Sequence, residues 1–585
     1  MQYAQADDIL SLKVILNTLK ERDTDMPQVD SQEEYHLVDL LYPSEEKKRA
    51  CIERGTQISK LPQDYVTNLE LDLLSRLICP ENSLNALRIL TQLTTDPDVL
   101  NYRLDILEDF LNVPQLEAVL YENVHKLYIN EHVNIQKLGL ADSFYALNTR
   151  LGSLKTFIEC ITNCHEFCQK YQHTFKSEAL KGLVEYFASV YNSEYFDEVK
   201  RETDECLRIL AKGVKSVTVG INFDDMMRPV EAMLLSVSTD LIKKKGRFDW
   251  IFKHLDGDAT RAIGKTHSLY NENGGTNDLE APLFRELKEI NSEYISHLDR
   301  AIRAYFKKST EDILTFESQM SFYIGAKRII DAVRARGLEM TRPKYLSMEE
   351  RKLDAKGIFD LSFYTQMVAS NPIGSLKDKI ITNDCRMDDD GRFFVLTGAN
   401  NGGKTTYTRA VGIIQVLAQA GVYVPCTSCE ISPVDFIYTH FPKEEEVGLN
   451  TSRFTQECKQ FKVTVDNATR YSMLLLNESI QSTTPTECVY IATELTKIFR
   501  CIGVRGVYAT HLLELAKSLD KINETVEGDT KLVSIVTTVD TTADNKRLYK
   551  IVRSAPQEFG YAKTIYEKFG VSFDEVKKRM EKEKA

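Results

Sequence analysis

The sequence predicts a chain in two parts: a mainly α-helical N-terminal stretch, then an α/β part built on a parallel sheet. Three observations carry that expectation. Apolar residues recur three and four apart from Gln2 to about Gly337, the period of helices with one buried face. After Pro343 short apolar runs alternate with amphipathic ones, the pattern of strands joined by crossover helices. One of those runs, "RFFVLTG", enters a glycine-rich turn that opens directly into a helix.

Taken in order, the first element is "MQYAQADDILSLKVILNTLK". It lacks a basic start and carries Asp7 and Asp8 early, so it predicts a capped amphipathic helix, not a secretory leader. "NLELDLLSRLI" and "LKGLVEYFASVY" continue the helical period. The period breaks at "KSVTVGINFDDMMRPVEAMLLSV": Val217, Val219 and Ile221 alternate, which predicts a short strand, with Pro229 as punctuation. "SLYNENGGTNDLEAP" predicts a loop, and "SQMSFYIGAKRIIDAVRARG" a returning helix. The boundary between the two parts falls near residues 340–360. Beyond it, "RFFVLTG", "SMLLL" and "GVYAT" read as buried parallel strands, and "TTYTRAVGIIQVLAQAG" as a helix stopped by Gly421. "TECVYIATELTKIF" reads as the helix between the second and third of those strands. "LVSIVTTVD" and "KRLYKIVRS" predict a hairpin before a helical tail.

Bulk properties narrow the function. A net charge of −12 gives no general support for nucleic-acid binding, so such a site must be a local basic patch. No apolar run is long enough to span a membrane, and a cytoplasmic protein with no membrane partner is expected. The 12 cysteines form no disulfide framework. Cys160, Cys164 and Cys168 share one helix face beside His165 but lack a second ligand pair at zinc spacing, so they read as small buried apolar residues. Cys426 and Cys429 read as packing or loop positions.

The chemistry is concentrated in "TGANNGGKTT". Gly398-x-x-x-x-Gly403-Lys404-Thr405 follows a strand and opens a helix, the context a phosphate-binding loop requires. Glycines let backbone N–H groups close around phosphate oxygens, and the helix N-terminus adds positive potential. Lys404 can reach the β- and γ-phosphates, and the Thr405 hydroxyl can ligate Mg²⁺. Glu478 follows the apolar run in "YSMLLLNESIQSTT" and could orient or deprotonate an attacking water. His511 in "YATHLLEL" ends another strand and could sense the γ-phosphate. A satisfied strand-end histidine is an equal reading. Ser452, at a helix start in "LNTSRFTQECKQF", is either a simple N-cap or a phosphate contact on another subunit. Where a carboxylate is expected before Glu478, the sequence has Asn477, which keeps an oxygen acceptor but no charge.

With those motifs in order, the chain resembles the MutS family of DNA mismatch repair ATPases over roughly residues 360–580. "LTGANNGGKTTYTRAVGIIQVLAQAGVYVPC" is similar to its phosphate loop and helix, "TSRFTQECKQFKVTVDNATRYSMLLLNESIQSTT" to its signature helix and catalytic strand, and "YATHLLEL" to its switch. "YKIVRSAPQEFGYAKTIYEKFGVSFDEVKKRM" is similar to its closing segment, with Gly560-Tyr561 at the turn. Upstream, "NYRLDILEDFL" and "SQMSFYIGAKRIIDAVRARGLEMTRP" resemble the two ends of its helical lever.

The resemblance implies an ABC-type P-loop ATPase domain over 346–585. A helical core and lever over 65–345, with a shortened clamp near 214–282, and an N-terminal helical segment over 1–64 precede it. It implies ATP and Mg²⁺ as cofactors. Gly398, Asn400, Asn401, Gly402, Gly403, Lys404, Thr405 and Thr406 would bind nucleotide, with Thr405 and Asn477 toward the metal. Glu478 would be the general base, with Thr510 and His511 forming the switch. Ser452 would complete the site of a partner protomer, hence a homodimer.

The chain departs from the family at several points. Its lever-like segment arrives by about residue 65, which leaves no room for the mismatch-reading and connector domains. The triplets at Phe157 and Phe196 that mimic a Phe-x-Glu motif fall inside helical sequence. With Asn477 for the usual carboxylate, hydrolysis is expected to be slow.

Three functions are compatible with this reading. One is an ATP-gated dimeric clamp on DNA, in mismatch-repair-related, recombination or branched-DNA processing. Another is an ATP-gated interaction protein acting on RNA, ribosomes or a protein. The last is a transporter-type ATPase, which would leave the lever-like helices unexplained. For DNA contact the candidate patch is "LIKKKGRFDWIFKHL", with Lys243, Lys244, Lys245, Arg247 and Lys253 around Trp250, the chain's only tryptophan. A solvated basic loop is the competing reading.

Overall fold

The computed structural model describes residues 37–137, 144–212, 216–238, 267–268, 311–399, 402–441, 453–480, 483–540 and 546–556, with scattered positions after 572. Asn400, Asn401, Ser452, the 241–255 basic segment with Trp250, the first 36 residues and Gly560-Tyr561 lie outside them. Among the described residues no helix is long and apolar enough to cross a membrane.

The chain divides into two compact bodies, each discontinuous in sequence. One comprises Met1–Val38, Pro114–Phe175 and Leu180–Glu317; the other Asp39–Val113, Lys176–Ala179 and Ser318–Ala585.

The first body is helical, with one small sheet. Its long helices are Glu122–Lys137, Phe144–Tyr171, Glu178–Tyr191 and Glu194–Lys212, the first continuing from a π-helical turn at Leu116–Tyr121. Phe157 and Phe196 are both buried and meet edge to face at 6.3 Å, so the two Phe-x-Glu-like triplets are core packing. Cys160, Cys164 and Cys168 are buried along one helix, and burial pushes the Cys168 thiol up to about 12. The alternating run forms β1 (Ser216–Phe223), antiparallel to β2 (Pro229–Ser238), with β3 (His267–Ser268) at the edge. Pro229, expected to punctuate, is instead the first residue of β2, opposite Phe223, a position where a missing N–H is tolerated.

The second body holds two further sheets. A four-stranded one, not foreseen from the sequence, has the order β4-β8-β5-β6: β4 (Lys344–Tyr345), β5 (Leu353–Ile358), β6 (Asn383–Met387) and β8 (Ser428–Ile431). Its strands are short and some are only half-buried, so no long apolar run announces them. Cys429, read as packing or loop, is a buried β8 residue.

The main sheet has the order β13-β12-β7-β11-β10-β9. Its strands are β7 (Phe393–Thr397), β9 (Ile437–His440), β10 (Met473–Asn477), β11 (Arg505–Ala509), β12 (Leu532–Asp540) and β13 (Lys546–Arg553). All neighbours are parallel except β12 with β13, the expected hairpin. β7, β10 and β11 are buried at every residue, which is why they read as unbroken apolar runs.

The helix Lys404–Ala420 is buried nearly all round and ends at Gly421, whose φ of +76° suits glycine. Residues 39–113 help to cover it. Gln419 Nε2 donates to the carbonyls of Leu93 and Thr94 at 3.1 and 3.2 Å. The buried Arg103 donates to the carbonyls of Leu41 at 3.0 Å and Ala420 at 3.2 Å. Arg409 pairs with Asp360 at 2.7 Å and also with Glu70. Arg103, Gln419 and Asp360 are buried, and each has partners, as burial requires.

Candidate functional site

Parallel strands end at the same edge of a sheet, so their following residues gather there. In register, Asn477 of β10 faces Ala509 of β11, which faces Leu396 of β7. The three exits therefore bring together Gly398, Glu478 and Thr510.

The first exit is the glycine loop. Gly398 has φ +142°, and a Cβ there would lie 1.9 Å from Thr537 Oγ1 on β12. A Cβ on Gly402 would lie 2.8 Å from the Ala399 carbonyl, and Gly403 caps the helix at φ +88°. Only glycine fits such a backbone without a shift. Lys404 is buried, and its ammonium donates to the carbonyls of Gly398 and Ala399 at 3.2 and 3.3 Å. Burial lowers its pKa, with Glu478 at 3.8 Å acting against that shift.

The second exit supplies Asn477 and Glu478. Asn477 is buried, and its side-chain oxygen accepts from the Thr405 hydroxyl at 3.1 Å. Glu478 donates its N–H to the Ala509 carbonyl at 2.8 Å and aims its carboxylate at His511 Nε2, 2.7 Å away. The third exit is Thr510-His511. Thr510 is buried, its N–H bonded to the Leu396 carbonyl at 2.9 Å. His511 Nε2 also lies 3.4 Å from the Lys404 ammonium. One nitrogen cannot donate to Glu478 and accept from Lys404 at once, and the shorter distance favours an Nε2–H directed at Glu478.

A cleft of about 850 Å³ opens from this cluster. Gly402, Gly403, Lys404, Thr405, Thr406 and Glu478 form one wall. The other is built from residues the sequence reading did not single out: Phe359, Phe363, Ile380, Asn383 and Tyr549. Tyr549 has φ +55°, and its ring comes within 3.6 Å of where a Gly403 Cβ would stand. Asn383 fixes that strand by donating to the Tyr549 carbonyl and accepting from the Ile551 N–H, at 3.0 and 2.8 Å. No local signal marks these residues, because they come from β6, β13, the Leu361–Ser370 helix and the connections on either side of it. The structure thus brings Gly398, Gly402, Gly403, Lys404, Thr405, Thr406, Asn477, Glu478, Thr510 and His511 to one place.

Comparison with known proteins fits this geometry. The MutS domain V family model matches residues 394–567, which contain all three exits, and the MutS2 N-terminal domain model matches 95–336. The chain is a member of the MutS family. It is 28% identical over 243 residues to a DNA mismatch repair protein MutS of Thermosipho melanesiensis, covering 41% of this chain and 26% of that protein. It is 33% identical over 180 residues to that of Chlorobium chlorochromatii, covering 31% and 20%. A DNA mismatch repair protein MutS 2 of Halobacterium salinarum is 35% identical over 143 residues, 24% of this chain and 17% of that one. The chain thus spans about a quarter or less of the length of these relatives.

Proposed function

We propose that this chain is an ATP-binding and ATP-hydrolysing protein with an ABC-type P-loop domain over about 346–585, preceded by a core and lever over about 65–345. The observation that carries the reading is the convergence of Lys404, the Thr405–Asn477 pair and the Glu478–His511 pair at the N-terminus of one buried helix. Gly398 to Thr406 wrap the phosphates, and the aromatic wall of Phe359, Phe363 and Tyr549 takes the nucleoside. Glu478 orients and deprotonates the attacking water, and His511 holds its carboxylate until a γ-phosphate competes for the imidazole.

The donor set suits Mg²⁺, a hard cation that prefers oxygen and keeps several waters. The Thr405 hydroxyl would ligate it and Asn477 would reach it through water. When bound, the cation neutralises charge developing on the phosphates. Asn477 leaves phosphate and base contacts intact but subtracts a negative charge, so turnover is slow.

Ser452 of one protomer completes the partner's site in a homodimer, and the dimer engages DNA as an ATP-gated clamp. The names of the relatives support that target. A second reading, a protein partner, is favoured by the β1–β2 turn. Asp224, Asp225 and Arg228 there flank the exposed Met226 and Met227, an apolar and weakly acidic tip unsuited to phosphates.

Hydrolysis is tested with Glu478→Gln and Lys404→Ala. The first is expected to bind ATP without turnover, the second not to bind. Equal hydrolysis in wild type and Glu478→Gln would reject the site. Gel shifts on duplex, branched and mismatched DNA, with and without ATP, separate the two targets, and sedimentation with ATP tests the dimer.

A further inference from the structure

The turn after β10 is unusual in what holds it. Glu478 and Ile480 both have left-handed backbones, φ +49° and +63°, a region that disfavours a residue with a Cβ and most of all a β-branched one. Between them Ser479 is buried. Side-chain preference does not favour this turn, so its neighbours must impose it.

Two flanking strands do so. From β11, Ala509 accepts the Glu478 N–H, and Tyr508 donates its hydroxyl to the Ser479 carbonyl at 3.1 Å. From β9, the last residue, His440, stands beside Leu476 in register. Its Nδ1 lies 2.8 Å from Ser479 Oγ, which is also 3.2 Å from the His440 carbonyl. A carbonyl only accepts, so the serine proton goes to it when Nδ1 carries its own hydrogen. The His440 ring also stacks on Phe461 of the helix Arg453–Asn467, with centroids 4.8 Å apart and planes 24° apart.

We propose that His440 is a positioning residue for Glu478: its Nδ1 holds Ser479, and so the strained turn, while its stack on Phe461 ties that turn to the helix 453–467. This rests on the hydrolytic reading above. A base placed by a strained turn loses aim when the turn relaxes, while the phosphate loop, on another strand, keeps its nucleotide. The expected signature is therefore a fall in kcat without a fall in affinity.

The test uses the full chain with His440→Phe, His440→Asn, Ser479→Ala and the double variant His440→Phe/Ser479→Ala. Phenylalanine keeps the stack and removes Nδ1; asparagine loses the stack but can place an N–H near Nδ1. Turnover is measured beside the Kd for a fluorescent ATP analogue, with thermal melting to establish folding. His440→Phe and Ser479→Ala are each expected to lower kcat about tenfold with Kd changed less than about twofold, part of the 10²–10⁴ that a positioned base supplies. His440→Asn should recover kcat to within about threefold of wild type, and the double variant should be no slower than either single one. Wild-type kcat in His440→Phe, multiplicative losses in the double variant, or equal loss of kcat and affinity in all four would overturn the proposal. Glu478→Gln run alongside separates the two levels. If it is inactive and His440→Phe is not, only the positioning role falls; if it hydrolyses like wild type, the hydrolytic reading falls and takes the positioning role with it.

Discussion

Two strand exits on the same wall of the proposed nucleotide cleft face one demand, a left-handed backbone at the end of a buried strand, and meet it with opposite kinds of residue. The loop after β7 uses glycines, at φ +142° for Gly398 and +88° for Gly403. The turn after β10 uses Glu478 and Ile480. The loop works through its backbone, so a side chain there would only obstruct. The turn must present a carboxylate, so it carries strain of about 1–2 kcal/mol per residue and needs Ser479, Tyr508 and Ala509 to hold it. Where function lies in the main chain the fold can be relaxed; where it lies in a side chain at the same kind of corner, the surroundings supply the restraint.

The largest effect expected from breaking that contrast is at Gly398. In Gly398→Ala the new methyl meets Thr537 Oγ1 at 1.9 Å on a backbone alanine rarely adopts. Denaturant unfolding should reveal a loss above about 4 kcal/mol, the range reserved for severe core clashes, together with lost nucleotide binding. Stability near wild type would mean that the loop does not lie against β12.

Next is Lys404→Met. Burial lowers the lysine's pKa from 10.5, so the folded protein holds its proton less readily than the unfolded chain does. Stability therefore rises with pH between the lowered pKa and 10.5, and the desolvation penalty is present in full below that window. At neutral pH the methionine variant should melt higher than nucleotide-free wild type and bind ATP at least about 100-fold more weakly, since a charge-assisted phosphate contact is gone. The gain in Tm should shrink as the pH approaches 10.5. A lower Tm at neutral pH would show that the bonds to Gly398 and Ala399 outweigh burial.

Glu478 sharpens the other side. Glycine normally destabilises relative to alanine, but at φ +49° the order should reverse. Glu478→Gly is expected to be more stable than Glu478→Ala by about 1 kcal/mol, with neither turning over. Equal melting curves would argue that the turn is unstrained. Asn477→Asp should raise hydrolysis a few-fold, most at low Mg²⁺, by restoring a charge beside Thr405, with Kd for ATP unchanged. The smallest effect lies where the chain leaves this turn. Glu487 accepts from Thr483 and from the hydroxyl and N–H of Thr484 in a capping box, and these bonds lower its pKa from 4.5. Its contribution is complete above 4.5 and disappears as the pH falls through the lowered value. Glu487→Gln should thus melt slightly below wild type at pH 7 and match it in acid.

How much of this was legible follows the same contrast. Everything the loop needs lies within ten residues, so Gly398, Gly403, Lys404 and Thr405 could be read together from sequence. Glu478 and His511 were visible as strand ends, because three fully buried strands announce themselves by apolar runs. The strain at Ile480, the hold exerted by His440 and the aromatic wall around Tyr549 were not visible. Each joins residues tens to hundreds of positions apart, and nothing in "YTHF" or "LYKI" says what will face it. The second sheet escaped because its strands are short and half-exposed.

The packing of residues 39–113 on the helix Lys404–Ala420 also sets an order in time. Arg103 and Gln419 secure each other's surroundings, yet more than 300 positions separate them on the ribosome. At synthesis rates of roughly 5–20 residues per second, the stretch from Val113 to Ser318 alone occupies roughly 10–40 s. During that interval the guanidinium of Arg103 and the apolar faces of 39–113 have no helix to cover. The nascent chain must therefore keep these surfaces from aggregating until its last third emerges, and a chaperone-depleted translation extract is where that exposure would be seen first.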